Sequence, residues 1–283
     1  MPAAIRDDSV VTSRSVELTG FSVAGVETAI EVPSLGLVLD MGRCSRTAVN
    51  QRTVLVSHGH LDHAGALSHH AARRAMMKME EGIYLVPAAI AIDVERVFNA
   101  AGVLDGHPIA RRVVPLEVGQ DFAIGGGKWV RPFASDHVVP SQGYTVWQKR
   151  HRLRAEFSGL AGAQLAELRA RGIKLDVDYD APLLSFTGDT RVDVFERVEE
   201  LRRVETLIVE TTFLDGRVSV ADARLMGHIH LDEILERQEL LPPKDIVFTH
   251  FSARHAAGEV EAILAERLPK SWASRVRIVG GDR

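Results

Sequence analysis

The chain has 283 residues, of which 46% are apolar and 25% are charged, and these values exclude a disordered chain, a collagen-like repeat and a coiled coil. Its formal net charge of −4 does not indicate nucleic-acid binding over the whole surface, although it leaves room for a local basic patch. The single cysteine, Cys44, excludes an intramolecular disulfide framework and is typical of a reducing cytosol. We therefore expect a cytoplasmic protein with no secretory signal and, since no apolar run of about 18 residues occurs, no membrane span.

The first half of the chain is predicted to be rich in strands. We expect residues 1–13 to be disordered and residues 14–283 to form a single domain. β-branched and apolar runs divided by glycine and proline predict an antiparallel meander, followed by a short buried strand and alternating helices and strands. The predicted strands lie at 16–23, 26–32, 36–40, 53–57, 83–86 and 112–118, with a hairpin at 121–134 and helices at 64–80 and 88–100.

The second half predicts strands that alternate with helices. Strands are expected at 143–148, 183–187, 206–210 and 245–249, and helices at 192–202, 229–239 and 256–267. Strands with late helices, followed by regular alternation, indicate two sheets packed face to face with helices on both outer sides. The sequence therefore predicts an α/β protein with a four-layer αβ/βα sandwich.

Several predicted strands end in a residue that can bind a metal or move a proton. Sites in layered α/β folds lie at the carboxyl ends of strands, so these side chains predict one shared site. They are His58, His137, Asp189, Glu210 and His250.

The densest group of such residues is the run His-Gly-His-Leu-Asp-His at positions 58–63. Alternate residues of an extended turn point to the same side, so His58 and His60 can bind one ion, while Asp62 and His63 can serve a second ion nearby. Neutral imidazoles and carboxylates suit Zn²⁺, and Mn²⁺ or Fe²⁺ are alternatives. A polar turn at the start of a helix is the other interpretation of this run.

This run resembles the motif of the metallo-β-lactamase superfamily, and further motifs narrow the resemblance to the short form of ribonuclease Z, with the plant-type enzymes most similar. The resemblance covers residues 16 to 267, and five further motifs in one order are more specific than the first alone. They are His137-Val-Val-Pro-Ser-Gln-Gly-Tyr144, Phe186-Thr-Gly-Asp-Thr190, Glu210-Thr-Thr-Phe213, Gly227-His-Ile-His230 and Thr249-His-Phe-Ser-Ala-Arg254.

The resemblance implies two zinc ions in each subunit. One ion is implied to be held by His58, His60 and His137. The other is implied to be held by Asp62, His63 and His250. Asp189 is implied to bridge the two ions, and Asp40 to support the ligands without joining them.

The implied catalytic residues are Asp62, His228 and Glu210. His228 resembles the family's proton donor to the leaving oxygen, and Glu210 is expected to orient it through a hydrogen bond. His230, two residues later, is either a functional residue or the start of a helix.

Two groups of residues are expected to contact RNA phosphates. Ser252 and Arg254 follow a metal ligand directly, and a hydroxyl and a guanidinium suit a phosphate there. Ser141 and Tyr144 are expected to help. The position after Arg254, which is usually Tyr in the family, is His255. The remaining histidines are expected on the surface, namely His69, His70, His107 and His151.

The segment from 148 to 174 carries seven Lys or Arg residues against two Glu residues. In the family a flexible arm that grips the tRNA elbow projects from this part of the chain. The Gly-Pro-rich hallmark of the bacterial arm is missing, so we expect a reduced basic arm around 148–180 whose RNA contacts include Lys149, Arg150 and Arg152. The alternative is a solvated amphipathic helix over 160–171.

The resemblance implies a zinc-dependent endoribonuclease that cleaves the 3′ trailer from tRNA precursors. A hydroxide held by the metals attacks the phosphodiester, and the tRNA keeps a 3′-hydroxyl. The implied partners are a tRNA precursor and a second copy in a homodimer. One alternative is a hydrolase of the same superfamily that acts on a small phosphodiester, thioester or lactone. Another is a catalytically silent RNA-binding protein.

Overall fold

The computed structural model describes residues 9–13, 16–242 and 244–280. Its strands are β1 (Ser9–Thr12), β2 (Glu17–Ala24), β3 (Glu27–Val32), β4 (Leu37–Leu39), β5 (Thr53–Leu55), β6 (Gly82–Pro87), β7 (Arg111–Leu116), β8 (Phe122–Gly125), β9 (Lys128–Ala134), β10 (Gln142–Leu153), β11 (Asp176–Phe186), β12 (Thr206–Glu210), β13 (Asp245–Thr249), β14 (Phe251–Ser252) and β15 (Val276–Ile278). Its helices are α1 (Leu61–Ala64), α2 (Leu67–Met76), α3 (Ala91–Asp105), α4 (Gly162–Ala170), α5 (Val194–Arg197), α6 (Val220–Met226), α7 (Leu231–Glu236) and α8 (Glu259–Arg267). None of the helices in these described ranges has the length and apolar character needed to span a bilayer.

The strands pair into two sheets. One sheet runs in the order β1-β2-β3-β4-β5-β6-β7, with β14 beside β2, and the other in the order β15-β13-β12-β11-β10-β9-β8. β2, β3 and β4 pair antiparallel, which confirms the predicted meander. β4 to β7 are parallel, as are β11, β12, β13 and β15. The carboxyl ends of the parallel strands therefore share an edge in each sheet.

Alternate residues of the central strands point to opposite faces and build separate cores. Leu39 of β4 and Ile208 of β12 lie in the core between the two sheets. Val38 points the other way and packs in a core with Phe98 of α3. Leu207 likewise packs under the helices that cover the second sheet. The order helix, sheet, sheet, helix confirms the predicted four-layer sandwich.

The N-terminal residues include a strand that the sequence analysis missed. β1 pairs antiparallel with β2, and Val11 is 9% exposed. The expectation that residues 1–13 are disordered was therefore wrong for residues 9–13. Residues 1–8 lie outside the described residues.

The expected arm is a long hairpin with a helix at its far end. β10 and β11 extend well beyond the predicted 143–148 and 183–187, and their distal halves pair only with each other, from Lys149 opposite Asp180 to Leu153 opposite Asp176. α4 lies between them and corresponds to the helix considered over 160–171. The hairpin leaves its sheet at the end opposite to Phe186, the last residue of β11.

Candidate metal centre and proton donor

The run 58–63 leaves β5 and turns directly into α1. The chain is not helical as far as His60, which has an extended backbone and precedes the first residue of α1. His58 and His60 therefore lie before the helix, while Asp62 and His63 lie in its first turn. The sequence predicted a helix from residue 64, after the motif, whereas α1 begins at Leu61, inside the motif.

A first group of ligand atoms converges around His60. Its Nδ1 lies 3.0 Å from His58 Nε2 and 3.4 Å from His137 Nε2. Asp189 Oδ2 lies 3.7 Å from His58 Nε2 and 3.9 Å from His137 Nε2. The four side chains thus come together as the sequence predicted, with one ligand atom from each.

A second group adjoins the first. His63 Nε2 and His250 Nε2 are 3.1 Å apart, and each lies within 3.7 Å of Asp62 Oδ2. Asp189 Oδ2 lies 3.3 Å from His63 Nε2 and 3.4 Å from His250 Nε2. One carboxylate oxygen of Asp189 therefore lies beside both groups, in the position expected of a shared ligand.

These donors fit divalent metal ions. A tetrahedral site with metal–nitrogen bonds of about 2.0–2.1 Å has ligand atoms about 3.4 Å apart, close to the separations in both groups. Burial lowers the pKa of His58 to about 2, so this imidazole is neutral, as a ligand must be. Burial opposes ionisation of Asp189, yet the neighbouring His250 and His63 hold its pKa well below the usual value. The cluster thus combines imidazoles with an ionised carboxylate, a donor set that suits a divalent metal.

Two glycines make room for the ligands. Gly188 has a φ of +57°, and a Cβ there would lie 2.5 Å from Ser57 Cβ. Gly227 has a φ of +82°, and a Cβ there would lie 2.7 Å from His137 Nδ1. Any larger residue at either position would push apart the segments that carry the ligands.

Asp40 supports the cluster from outside, in the place expected of it. Its carboxylate is fully buried and accepts hydrogen bonds from Ser57 N at 2.6 Å and Ser57 Oγ at 2.8 Å. It also lies 2.7 Å from His63 Nδ1. A carboxylate at Nδ1 leaves Nε2 of His63 free to face the ligand cluster.

His228 lies beside the ligands and is paired with Glu210. Its Nδ1 is 3.0 Å from Glu210 Oε1 and 3.9 Å from Asp189 Oδ2. Burial lowers the pKa of His228, but the Glu210 carboxylate outweighs it and raises the pKa to about 9. The imidazole is thus protonated at neutral pH and can donate a proton.

Two other histidines, His230 and His70, have structural roles. His230 caps α7 and accepts a hydrogen bond from Asp232 N at 3.2 Å, which favours the helix-start interpretation. His70 is buried, with its Nδ1 2.8 Å from the Tyr84 hydroxyl, so its expected place on the surface was wrong. His69, His107 and His151 are exposed, as predicted.

Of the four residues near the motif ligands in sequence that were predicted to bind phosphates, three have a polar group that can still bind one and Tyr144 does not. Arg254 is exposed and Ser252 is half-buried beside it. The hydroxyl of Ser141 is buried with no hydrogen-bond partner among the described residues, so it can still bond to a ligand. Tyr144 is fully buried, and its hydroxyl lies 2.7 Å from the Val56 carbonyl oxygen, so its prediction as an RNA contact was wrong.

The arm is much less basic than the segment 148–174 suggested. Arg150 pairs with Glu205 at 2.5 Å, so its charge is already matched within the protein. Lys149 and Arg152 are both exposed, and Arg152 lies over the Tyr179 ring at 5.3 Å. Within the described residues, further pairs join Arg154 to Glu156, Arg169 to Asp176 and Lys174 to Asp178. Acidic residues on β11 therefore neutralise much of the predicted charge.

Sequence reasoning missed two residues that hold the centre together. Ser57 donates hydrogen bonds from its backbone N–H and from its hydroxyl to the Asp40 carboxylate. Thr212 is 2% exposed and donates to Glu210 Oε2 at 2.6 Å. A signal for Thr212 was available, because the run Glu-Thr-Thr places hydroxyls immediately after a candidate carboxylate.

The comparisons with known proteins agree with this geometry. The family model of the Beta-lactamase superfamily domain matches residues 38–251. tRNase Z TRZ1 of Arabidopsis thaliana is 37% identical over 92% of this chain and 93% of its own length, and the chloroplastic tRNase Z TRZ2 of the same plant is 34% identical over 96% of this chain and 78% of its own. The crystal structure of the short form of human tRNase Z has the same fold, with a TM-score of 0.56 and 16% identity over 83% of this chain and 92% of that one. The chain therefore belongs to the β-lactamase superfamily and, within it, to the tRNase Z family.

Proposed function

We propose that this protein is a metal-dependent endoribonuclease that removes the 3′ trailer from tRNA precursors and leaves a 3′-hydroxyl on the tRNA. The observation that carries the proposal is the position of His228, a carboxylate-paired imidazole 3.9 Å from the Asp189 oxygen beside both ligand groups. Hydrolysis of an RNA phosphodiester expels a poor leaving group, and a protonated imidazole beside the metal centre can protonate it. The substrate class is supported by the relatives that are named tRNase Z.

The proposal includes two Zn²⁺ ions in each subunit, with Mn²⁺ or Fe²⁺ as alternatives. The support is a set of seven nitrogen and oxygen ligands that divides into two groups sharing Asp189. When bound, divalent ions supply positive charge to the phosphoryl oxygens and make water more acidic.

The chain's own residues hold the substrate and move the proton. Glu210 fixes the ring of His228 through Nδ1, so that Nε2 carries the proton for the departing oxygen. Arg254, Ser252 and Ser141 are the groups that we propose to bind phosphates. Ser252 and Arg254 closely follow the ligand His250 in the chain, and the hydroxyl of Ser141 has no hydrogen-bond partner among the described residues.

We further propose a homodimer that works in the cytoplasm. The dimer rests on the resemblance to short-form ribonuclease Z, and the compartment on the single cysteine. Analytical ultracentrifugation of the purified protein tests the dimer, and a fluorescent fusion imaged in cells tests the compartment.

The experiment that tests the function is cleavage of a 5′-labelled tRNA precursor that carries a 3′ trailer. We expect one cut after the discriminator nucleotide, a 3′-hydroxyl on the product, and loss of both in Asp189→Ala. Failure to cut RNA, together with rapid Asp189-dependent hydrolysis of bis(4-nitrophenyl) phosphate, would instead favour the small-substrate hydrolase. RNA binding without any hydrolysis by metal-loaded protein would favour the silent binding protein.

A further inference from the structure

Thr212 lies between the residue that orients the proton donor and one of the proposed metal ligands. Its hydroxyl is 2.6 Å from Glu210 Oε2 and 3.0 Å from His250 Nδ1. The same oxygen is 3.4 Å from His228 Nδ1, which has its shorter bond to Glu210 Oε1. Thr212 is 2% exposed, so bulk water does not replace these bonds.

The donors around Glu210 determine where the single hydroxyl hydrogen of Thr212 lies. Three backbone N–H groups point at this carboxylate, those of Thr190 at 2.9 Å, Thr212 at 3.3 Å and Ile229 at 3.3 Å. A carboxylate surrounded by donors acts only as an acceptor, so the Thr212 hydroxyl donates to it. The remaining lone pairs of the hydroxyl can then only accept a hydrogen from His250 Nδ1.

A hydrogen on Nδ1 leaves Nε2 of His250 without one. This Nε2 lies 3.1 Å from His63 Nε2 and 3.4 Å from Asp189 Oδ2, inside the ligand cluster. A metal ligand needs a free lone pair at that atom, and the opposite tautomer would place a hydrogen there. The direction of the Thr212 hydrogen bond therefore decides whether His250 is ready to bind a metal.

We propose that Thr212 is a positioning residue. It donates its hydroxyl hydrogen to Glu210, accepts a hydrogen from His250 Nδ1, and so fixes the metal-binding tautomer of His250. The carboxylate that orients His228 then also prepares a metal ligand at the end of the neighbouring parallel strand, β13. This inference rests on the metal site of the proposed function, and it adds a link between that site and the proton donor. The backbone of His250 is in the left-handed region, with a φ of 61°, and its N–H donates to Ser22 Oγ at 3.0 Å. Hydrogen bonds therefore hold both the backbone and the ring of His250.

The first experiment measures the Zn²⁺ affinity of metal-free protein by competition with a chelator. Thr212→Val removes the hydroxyl and keeps the shape, and we expect it to weaken Zn²⁺ binding about 10- to 100-fold. Thr212→Ser restores the hydroxyl and should restore most of the affinity. The matched control is Thr211→Val, because the hydroxyl of Thr211 is buried and has no hydrogen-bond partner among the described residues. Equal affinities in Thr212→Val and Thr211→Val would overturn the proposal.

The second measurement observes the tautomer directly. Imidazole nitrogen spectra of ¹⁵N-histidine protein without metal should show His250 with its hydrogen on Nδ1 in the wild type and in Thr211→Val. In Thr212→Val the Nδ1 preference should be lost. An unchanged His250 spectrum in Thr212→Val contradicts the inference even if the variant folds less stably.

The third measurement tests the link to Glu210, which is itself no ligand. In Glu210→Gln the amide can donate to Thr212, whose hydrogen then turns to His250 Nδ1 and favours the wrong tautomer. We expect weaker Zn²⁺ binding in Glu210→Gln, and no additional loss when Thr212→Val is combined with it. Additive losses would show that Thr212 does not transmit the effect. Because all three readouts use Zn²⁺ alone, a wild-type protein that binds Zn²⁺ but leaves tRNA precursors intact would reject the proposed function and not this inference.

Discussion

The ligand cluster and the arm both consist of charged and polar residues, yet they differ in how those residues are used. The cluster takes its seven side chains from four segments of the chain, and His58, His63 and Asp189 are each at most 2% exposed. The arm also carries many charges, on a hairpin that is mostly exposed, and its Arg169 and Lys174 pair with Asp176 and Asp178 of β11. Burying a polar group costs free energy unless it forms hydrogen bonds, pairs with a charge or binds a metal, whereas exposed charges pair with little effect on stability.

The comparison teaches that convergence, not charge density, marks the functional part of this molecule. Nitrogen atoms about 3 Å apart, such as His63 Nε2 and His250 Nε2, would repel unless an ion or a proton lay between them. No similar arrangement occurs among the described residues of the arm, where opposite charges neutralise each other. We therefore expect substitutions in the cluster to abolish activity and substitutions in the arm to adjust it.

The largest effect is expected for Asp189, because its Oδ2 lies beside both ligand groups. Asp189→Ala should lower the rate of RNA cleavage by about 10³-fold or more, since the loss of metal charge at phosphorus costs several kcal/mol. Metal analysis of the purified variant should show reduced content, with circular dichroism as the control for folding. Full metal content together with full activity would remove Asp189 from the centre.

A smaller but more selective effect is expected for His228. His228→Ala should slow RNA cleavage by about 10²- to 10⁴-fold, because a general acid is lost, while metal content stays normal. Hydrolysis of bis(4-nitrophenyl) phosphate should fall much less, since nitrophenolate leaves without a proton. Equal losses on the two substrates would argue that His228 does not protonate the leaving oxygen.

The sequence predicted the cluster better than the arm for a physical reason. Metal ligands belong to few residue types and follow strand ends, so His58, His137 and His250 stand out before any contact is known. The four-layer fold could be predicted in the same way, because buried parallel strands leave apolar runs that alternate with helices. The boundaries were less certain, as in β10 and β11, whose polar distal halves form a strand only because they pair with each other.

What the sequence could not supply is pairing between distant segments. Arg150 seemed free for RNA because Glu205 lies 55 positions away and becomes its partner only in the folded sheet. Tyr144 was expected to contact RNA because it carries a hydroxyl, yet that hydroxyl donates to the carbonyl oxygen of Val56, which follows β5 of the other sheet. The sequence places Thr212 close to Glu210, but its second partner, His250, lies 38 positions away and comes within 3.0 Å only in the fold. The predictions about the roles of the seven ligands stay predictions until metal binding is measured.

The contrast between buried and exposed polar groups can be tested within one helix, at His69 and His70 of α2. Burial lowers the pKa of His70 to about 4, below the ordinary 6.5, so the unfolded state takes up the proton first as the pH falls. The free energy of unfolding should therefore fall by up to about 3 kcal/mol between pH 6.5 and 4 on account of His70, and stay constant above that range.

Chemical denaturation over this pH range measures the effect. His70→Gln should remove that part of the pH dependence while lowering stability at pH 7, whereas His69→Gln should leave both unchanged because His69 is exposed. The same pH slope in His70→Gln as in the wild type would show that other groups, such as the ligand histidines, account for the acid sensitivity.

The smallest effect is expected from the arm. The exposed cations of the arm without an ion pair among the described residues are Lys149, Arg152 and Arg171. Arg152 already packs on the Tyr179 ring, so Lys149 and Arg171 are the ones left to meet RNA phosphates. Replacing both with alanine should raise KM by less than about tenfold and leave kcat unchanged, and it should reduce the salt dependence of RNA binding by at most about one contact for each residue.

Glu205→Gln provides the opposite change, since it releases Arg150 and Lys244 and should tighten binding at low salt if RNA lies along the arm. A large fall in kcat in the double alanine variant would contradict the division argued above, because it would place the arm in the chemistry rather than beside it.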